Sequence, residues 1–211
     1  MAERKGAGRR TAVEAQATRQ LIVSAALERF SERGFDAVSV REIAAQAGVT
    51  HGMIRHHFGS KLEVWKAAIQ GVFEEYRRAL LPGIQEALAG DDPLQAFRRV
   101  VSEFIRLSSA RPLYTRLLVR ESESGGERAQ FCTSSFQDIH TVIGQLFNRA
   151  RAVCPALSFH TNDSFFNALI SLTFFSILHP SASVEPSYPL SHGIQDRADL
   201  IMAVLFGPPQ A

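Results

Sequence analysis

Residues 40–61 read VREIAAQAGVTHGMIRHHFGSK, a pattern of two short helices joined by a tight turn. Ser39 can cap the first helix, and Glu42 stands where the carboxylate of a capping box belongs. Gly48 should end that helix, because glycine readily adopts the left-handed conformation of a helix C-terminus. Thr50 should cap the second helix. The pattern predicts a helix-turn-helix, a motif that places its second helix in the major groove of DNA.

The second helix, which begins after Thr50, should turn a polar face to the solvent. The residues expected on that face are His51, Gly52, Arg55 and His56. Glycine inside a helix costs about 1 kcal/mol relative to alanine, a cost that makes sense if the backbone must approach another surface closely. The Arg55 guanidinium can read guanine O6 and N7 with two hydrogen bonds, although a merely solvated arginine stays an alternative.

Helical periodicity continues through the rest of the chain, without a β-alternating run or an internal repeat. Cap and turn residues predict seven further helices. The first ends at Gly34, and the second begins at Ser60 and stops or kinks near Pro82-Gly83. The others begin at Asp92-Pro93, cover 112–122, run from about Cys132 to Val153, end at His179 and cover 194–205. The predicted fold is therefore all-α with about nine helices, in which an N-terminal three-helix helix-turn-helix domain precedes a C-terminal helical domain.

Length and composition are those of a soluble globular protein. The 211 residues are 45% hydrophobic and 21% charged, which excludes a disordered or fibrous chain. Cys132 and Cys154 are the only cysteines, too few for a disulfide framework or a zinc site, so we expect a cytoplasmic protein. Residues 1–66 carry 11 Lys and Arg against 7 Asp and Glu, while residues 67–211 carry 12 against 14. The basic N-terminal third favours a module that faces nucleic acid.

The longest uncharged stretch, residues 164–184, should form a buried helix rather than a membrane span. Pro180 should end this helix at His179, which leaves roughly 24 Å of helix against the roughly 30 Å of a bilayer core. The N-terminus has no apolar segment typical of a secretory signal. We therefore predict no membrane partner.

No motif in the sequence indicates an enzyme, a cofactor or a metal. A GxSxG sequence, a P-loop, an HExxH sequence and a CxxC sequence are all absent, and the carboxylates are scattered. His51, His56 and His57 fall within seven positions, but His51 and His56 are five residues apart and do not lie on one helix ridge, and no acidic or sulfur ligand lies near the three histidines in sequence. The two cysteines are expected to be buried apolar residues, with redox sensing as the alternative.

Residues 18–69 resemble the DNA-binding domain of TetR-family transcriptional regulators, through the segments AALERFSERGF, VREIAAQAGVT and HHFGSK. The resemblance implies that Arg41 reaches a base edge or a phosphate, that Thr50 and the start of its helix hold a phosphate, and that Lys61 grips the DNA backbone. The chain departs from the family at Arg55-His56, where an aromatic pair is usual. The residues expected to contact DNA are Arg41, Thr50, His51, Gly52, Arg55, His56, His57 and Lys61.

The resemblance also implies a ligand cavity in the C-terminal body. The candidate lining residues, each of which could equally be plain core, are Phe97, Phe104, Leu117, Phe136 and Phe165. The uncharged helix is apolar on nearly every side, so one face can pack in its own domain and another against a partner. Together with the last helix it could build an intermolecular four-helix bundle. The predicted interface residues are Phe166, Ile170, Phe174, Ile177, Ile194, Ala198, Ile201 and Leu205.

These observations predict a flexible basic arm at residues 1–17, a helix-turn-helix domain at 18–66 and a ligand-binding and dimerisation domain at 67–211. The predicted function is that of a homodimeric repressor, which an unknown small apolar ligand releases from a palindromic operator in double-stranded DNA. An activator or global regulator on the same fold stays an alternative. A helical ligand-binding or enzymatic protein with an incidentally basic N-terminus is another.

Overall fold

The protein is all-α, as predicted, in the part of the chain that the computed structural model describes, residues 4–122, 124–179 and 194–207. Those residues form nine α-helices and one short 3-10 helix at Pro155–Leu157, and they include no strand. The α-helices are α1 (Arg4–Arg33), α2 (Val40–Ala47), α3 (His51–Phe58), α4 (Lys61–Ala89), α5 (Pro93–Ala110), α6 (Pro112–Ser122), α7 (Gly126–Arg151), α8 (Asn162–Leu178) and α9 (Ile194–Phe206).

The chain divides into two compact units, Met1–Val72 and Phe73–Ala211. The division falls inside α4, a few residues after position 66, where the sequence analysis ended the first domain. In the first unit, α1, α2, α3 and the first turns of α4 bury one apolar core. Its fully buried large side chains are Ile22, Phe30, Ile43, Ile54, Trp65 and Ile69. This core holds the two short helices in place.

Helix α1 begins far earlier than the sequence indicated. Residues 4–17, predicted to be part of a flexible arm, instead belong to α1, which runs from Arg4 to Arg33. Residues 12–17 are all exposed, so no tertiary packing supports this part of the helix. The prediction was wrong because a missing apolar period excludes burial but not helicity. Alanine, glutamate, glutamine and arginine, which dominate this segment, are all good helix formers.

Helix α4 does not stop at Pro82. It continues to Ala89, although proline removes one backbone hydrogen bond from a helix interior and crowds the preceding turn. Leu80, Ile84 and Ala87 are all buried on one side of the helix. Burial of this stripe before and after the proline offsets the cost, a tertiary contribution that the local sequence does not reveal.

The second unit is built around a cluster of phenylalanine rings. The centroid of the Phe97 ring on α5 lies 5.2 Å from that of Phe165 on α8, 5.7 Å from that of Phe147 on α7 and 5.8 Å from that of Phe206 on α9. All four side chains are buried. Tilted and edge-to-face aromatic pairs at these separations add to the free energy of ordinary apolar burial. The cluster therefore joins four helices of this unit.

Helix α8 ends as predicted, with His179 as its C-cap just before Pro180. Its N-cap is Thr161, whose hydroxyl accepts a hydrogen bond from the Ser164 N–H, while the Ser164 hydroxyl accepts one from the Thr161 N–H. Among the described residues, no helix combines the length and the apolar character that crossing a membrane requires.

Candidate nucleic-acid interface and ligand cavity

Helix α2 begins with the predicted capping box. The Ser39 N–H donates to Glu42 Oε2 at 2.7 Å, and the Glu42 N–H donates to Ser39 Oγ at 3.2 Å. The Arg33 guanidinium of α1 also donates to the Glu42 carboxylate. The hydrogen bond from the Ser39 backbone, followed by the Ser39 hydroxyl and Arg33, lowers the pKa of Glu42 to about 2. These contacts hold the start of α2 against the end of α1.

The turn between α2 and α3 has the geometry that its glycine allows. Gly48 lies in the left-handed region with φ of 66°, and the Val49 N–H donates to the Ala44 carbonyl at 3.0 Å. Thr50 occupies the N-cap position of α3, but its side chain makes no capping hydrogen bond. The predicted cap is therefore correct in position and wrong in its bonding. Thr50 is exposed, so its hydroxyl is accessible to a ligand.

Helix α3 has one buried and one polar exposed face. Ile54 and Phe58 are buried in the first unit. The exposed residues of α3 are His51, Gly52, Met53, Arg55 and His56. Met53 is an apolar residue of this face that the sequence analysis did not predict. Its position next to Gly52, which was predicted to be exposed, could have indicated its exposure. The structure thus places four of the eight residues predicted to contact DNA, His51, Gly52, Arg55 and His56, on the solvent-facing surface of α3.

His57 and Lys61 differ from the residues on that face because both are half-buried. The His57 carbonyl accepts a hydrogen bond from Arg19 Nη1 at 3.1 Å, and the Arg19 guanidinium lies 4.3 Å from the centroid of the Phe58 ring. Arg19 therefore ties α1 to the end of α3. Sequence reasoning missed this contact, since nothing local marks Arg19 as different from its exposed neighbours.

Lys61 holds the segment that precedes α2. Its Nζ donates to the Val38 carbonyl at 2.8 Å and lies 4.3 Å from the centroid of the Phe35 ring. An ammonium has three N–H donors, so one is used inside the unit. Arg41, on α2, is exposed. In the described residues, no group of three or more His, Cys, Asp or Glu side chains could hold a metal ion.

The second unit contains a cavity of about 880 Å³. Phe104 and Phe136 line it, as predicted. Phe97 and Phe165 instead line a much smaller void of about 20 Å³, and Leu117 is fully buried in the core. Apolar spacing identifies the inward face of a helix, but it does not distinguish a side chain against another helix from one facing a void. A pocket of this size is within the range of small-molecule sites, roughly 300–1,000 Å³.

Helices α4 and α8 supply further lining residues, and those of α8 were predicted to lie at the dimer interface. Phe73 and Tyr76 come from α4, and Phe166, Ile170 and Phe174 come from α8. The Tyr76 hydroxyl is within hydrogen-bonding distance of Ser108 Oγ, at 2.9 Å, and burial raises the pKa of Tyr76 to about 12.

The predicted dimer residues do not form the exposed face of α8 and α9. Phe166, Ala198, Ile201 and Leu205 are buried within the chain, and Phe166, Ile170 and Phe174 line the cavity. Ile177 is half-buried, and the Ile194 side chain lies outside the described residues. The large apolar side chains that α8 and α9 leave exposed are instead Phe175 (60% exposed), Leu200 (67%) and Val204 (62%).

A helix that is apolar on nearly every side carries several stripes, and periodicity alone does not say which stripe meets the protein's own core. In α8, Phe165, Leu169 and Thr173 are buried in the core, and the neighbouring stripe of Phe166, Ile170 and Phe174 lines the cavity. The face with Phe175 is left for solvent or for a partner.

Comparison with known proteins finds similarity to one family of regulators. The model of bacterial regulatory proteins of the TetR family matches residues 22–68. The HTH-type transcriptional regulator AcrR of Shigella flexneri is 36% identical over 131 residues, 57% of this chain and 57% of that protein. The HTH-type transcriptional regulator TtgR of Pseudomonas putida is 37% identical over 93 residues, 44% of this chain and 43% of that protein. The chain thus matches about half the length of these relatives.

Solved structures extend the likeness to nearly the whole chain at the level of the fold. The hemolysin II transcriptional regulator HlyIIR has a TM-score of 0.69 at 19% identity, over 91% of this chain and 98% of that one. AibR in complex with isovaleryl coenzyme A and operator DNA has a TM-score of 0.70 at 17% identity, over 90% and 99%. AcrR, TtgR and HlyIIR are all named transcriptional regulators, and none of the three is named as an enzyme.

Proposed function

The chain belongs to the TetR family of bacterial regulatory proteins through its N-terminal domain, and from this premise we propose that it is a homodimeric transcriptional repressor. It binds a palindromic operator through α3 and leaves the operator when a small molecule with a large apolar surface fills the cavity. The observation that carries the proposal is the polar, solvent-exposed face of α3. This helix follows α2 after a turn in which Gly48 adopts the left-handed conformation.

In this proposal α3 enters the major groove with its exposed face against the base edges. Gly52 has room around it, since an added Cβ would meet only Thr50 Oγ1, at 3.9 Å. The α3 backbone can therefore come close to the DNA at this point. Arg55 reads a base edge, while Arg41, Thr50 and Lys61 contact the phosphates. Phosphate contacts set register and affinity, and base contacts set the sequence preference.

The first experiment is a selection of genomic fragments with the purified full-length protein, followed by footprinting of the bound site. We expect a palindrome whose half-sites are one helical turn apart, about 34–36 Å. Deletion of the gene should raise the output of the promoter beside that site. A fall in output would identify an activator, and recovery of no fragment would contradict a DNA-binding function.

Arg55→Ala should weaken binding to the selected operator by about 1–3 kcal/mol per half-site and relax the preference at one base pair. Binding to random duplexes should change much less. The measurement is a titration of both duplexes by fluorescence anisotropy. Arg78→Ala is the matched control, because it removes the same charge from an exposed site in the second unit. An equal loss on both duplexes would mean that Arg55 contacts phosphate instead.

Lys61→Ala should weaken binding to the operator and to random DNA alike. The slope of log K against log salt should flatten by about 0.9 per lost phosphate contact, or about 1.8 for a dimer. Because Lys61 also bonds the Val38 carbonyl, the variant should in addition lose about 1 kcal/mol of unfolding free energy. Lys66→Ala, on the same helix, is the control. An unchanged salt slope with lowered stability would leave Lys61 only its structural role.

The proposed dimer uses the face of α8 and α9 that carries Phe175, Leu200 and Val204. Two helices from each subunit would then form an intermolecular four-helix bundle. A two-fold axis through such a bundle gives each operator half-site its own copy of α3.

Release by a ligand is proposed to act through α4. This helix begins at Lys61 in the DNA-binding unit, and its Phe73 and Tyr76 line the cavity. A ligand that displaces these side chains can therefore change the spacing of the two α3 helices without contacting them. A preference of about 3 kcal/mol for the mis-spaced state would weaken operator binding about 150-fold.

A further inference from the structure

Met53 is an apolar residue on the otherwise polar exposed face of α3. Its side chain is 37% exposed, and within residues 40–58, all of which the structure describes, it is the only large hydrophobic side chain that is exposed. The buried residues of α3 are Ile54 and Phe58, so Met53 is not part of the core of the first unit. Folding alone therefore does not require an apolar side chain at this position.

The position of Met53 on the helix separates it from Arg55. Ile54 and Phe58 lie on the buried side of α3, and Gly52 lies roughly opposite them on the exposed side. At 3.6 residues per turn, Met53 and Arg55 fall on the two flanks of the exposed face. The two side chains therefore reach different base pairs when α3 lies in the major groove.

The residue before Met53 allows this flank to come close to the DNA. Gly52 has no side chain to hold the helix backbone away, and a Cβ built there would meet only Thr50 Oγ1, at 3.9 Å. A methionine side chain is unbranched and flexible, so it adapts to the shape of the surface that it meets. Met53 can therefore make a close apolar contact with the floor of the groove.

The major groove offers one apolar group to such a side chain, the C5-methyl group of thymine. Guanine, adenine and cytosine present hydrogen-bond donors or acceptors there instead. A contact between Met53 and one of those polar groups would exclude water from it without supplying a hydrogen bond, which costs free energy. A contact with the thymine methyl removes apolar surface of both partners from water, which is favourable. Both effects favour thymine.

We propose that Met53 contacts the methyl group of one thymine in each half-site of the operator and so sets the preference for thymine at that position. This inference rests on the proposed function, because Met53 selects a base only if α3 enters the major groove. It adds an apolar base contact to the hydrogen-bonding contact of Arg55, at a different base pair.

Uracil in place of thymine is the probe for this contact, because it lacks the methyl group but keeps the O4 acceptor and the pairing with adenine. Each thymine of the selected operator is replaced in turn, in both half-sites at once, and binding of the full-length protein is measured by fluorescence anisotropy. Burial of one methyl group is worth about fourfold in affinity. We therefore expect replacement at the contacted position to weaken binding about fifteenfold. Half-sites without a thymine, or uniformly small effects, would overturn the proposal.

Met53→Gln identifies the thymine that Met53 contacts. Glutamine keeps the unbranched shape and the helix-forming tendency of methionine but introduces a polar amide. In this variant the preference for thymine over uracil at that position should fall to about twofold or less. A uracil effect that persists in Met53→Gln at every sensitive position would contradict the contact.

Leu21→Gln is the matched control, since Leu21 is 56% exposed and lies on α1, outside the helix-turn-helix. It makes the same kind of change on the same unit, and it should keep the wild-type preference for thymine. Urea unfolding of both variants should match the wild type, because both side chains are exposed. Loss of the thymine preference in Leu21→Gln as well would overturn the assignment to Met53.

The same measurements separate this inference from the proposed function. Tight operator binding without a uracil effect would overturn the Met53 contact and leave the repressor standing. A uracil effect that depends on Met53, together with a fall in promoter output on deletion of the gene, would overturn the repressor and leave the contact standing. Recovery of no bound DNA would overturn both.

Discussion

Gly52 shows how a single residue can separate the needs of folding from those of function. Its backbone does not adopt the left-handed conformation, and an added Cβ would meet only Thr50 Oγ1, at 3.9 Å. The folded protein therefore has no need of glycine at this position. Gly48 is the opposite case, because its φ of 66° is one that other residues adopt only with strain. The two glycines of one motif thus have different reasons to be there.

Gly52→Ala should raise the free energy of unfolding, by up to about 1 kcal/mol, since alanine is the better helix former. The same change should weaken operator binding, because the methyl group separates the α3 backbone from the DNA. Urea unfolding and a DNA titration measure the two effects. Gly48→Ala is the contrasting variant and should lose about 1–2 kcal/mol of stability. Operator binding by Gly52→Ala at the wild-type level would remove close approach as the reason for the glycine.

At the level of the element, α2 depends on its capping box. Ser39 and Glu42 satisfy each other's backbone N–H groups, and Arg33 connects this cap to α1. Because α3 follows α2 after only a tight turn, the cap also sets the direction in which the helix-turn-helix leaves α1. The orientation of the candidate DNA-reading face therefore depends on a hydrogen-bonded carboxylate.

This dependence predicts an acid-sensitive stability. The pKa of Glu42 is lowered from 4.5 to about 2 in the folded protein. Its ionised form therefore stabilises the fold fully above about pH 4.5, and this contribution is lost as the pH falls from 4.5 towards 2. The urea midpoint should fall less steeply in this window for Glu42→Gln than for the wild type. Glu86→Gln should keep the wild-type slope, and an equal slope in all three proteins would contradict the assignment.

The whole molecule is proposed to work as a dimer, and the exposed stripe of α9 offers the sharpest test. Val204 is 62% exposed on α9, while Val153, just after α7, is 57% exposed. Burial of a charge at an interface is costly, whereas a charge on a free surface is not. The two valines therefore form a matched pair with similar exposure in one subunit and different expected exposure in the assembly.

Sedimentation of the wild type at micromolar concentration should give twice the chain mass of 23.3 kDa. Val204→Arg should shift the protein towards the monomer and weaken operator binding, because a monomer reaches only one half-site. Val153→Arg should remain dimeric. A dimer that tolerates Val204→Arg would exclude this face, and a monomeric wild type would contradict the homodimer itself.

Most of the helix-turn-helix was predictable because its signals are local. The capping box at Ser39, the glycine turn at Gly48 and the separation of Ile54 and Phe58 from the polar residues of α3 all depend on neighbours within one or two helical turns. The ends of α5 and α8 are local in the same sense, since Asp92-Pro93 and Pro180 limit the backbone wherever they occur. Such signals hold without knowledge of what the helix packs against.

The second unit required the tertiary structure. Phe97 and Phe104 lie on one helix with similar apolar spacing, yet Phe97 joins the core and Phe104 lines the cavity. The stripe of α8 assigned to a partner borders that cavity, and the exposed stripe carries Phe175. Apolar periodicity indicates that a side chain is shielded from water, but it does not indicate which neighbour shields it. A core, a cavity and a subunit interface are alike in that respect, so only the arrangement of the helices distinguishes them.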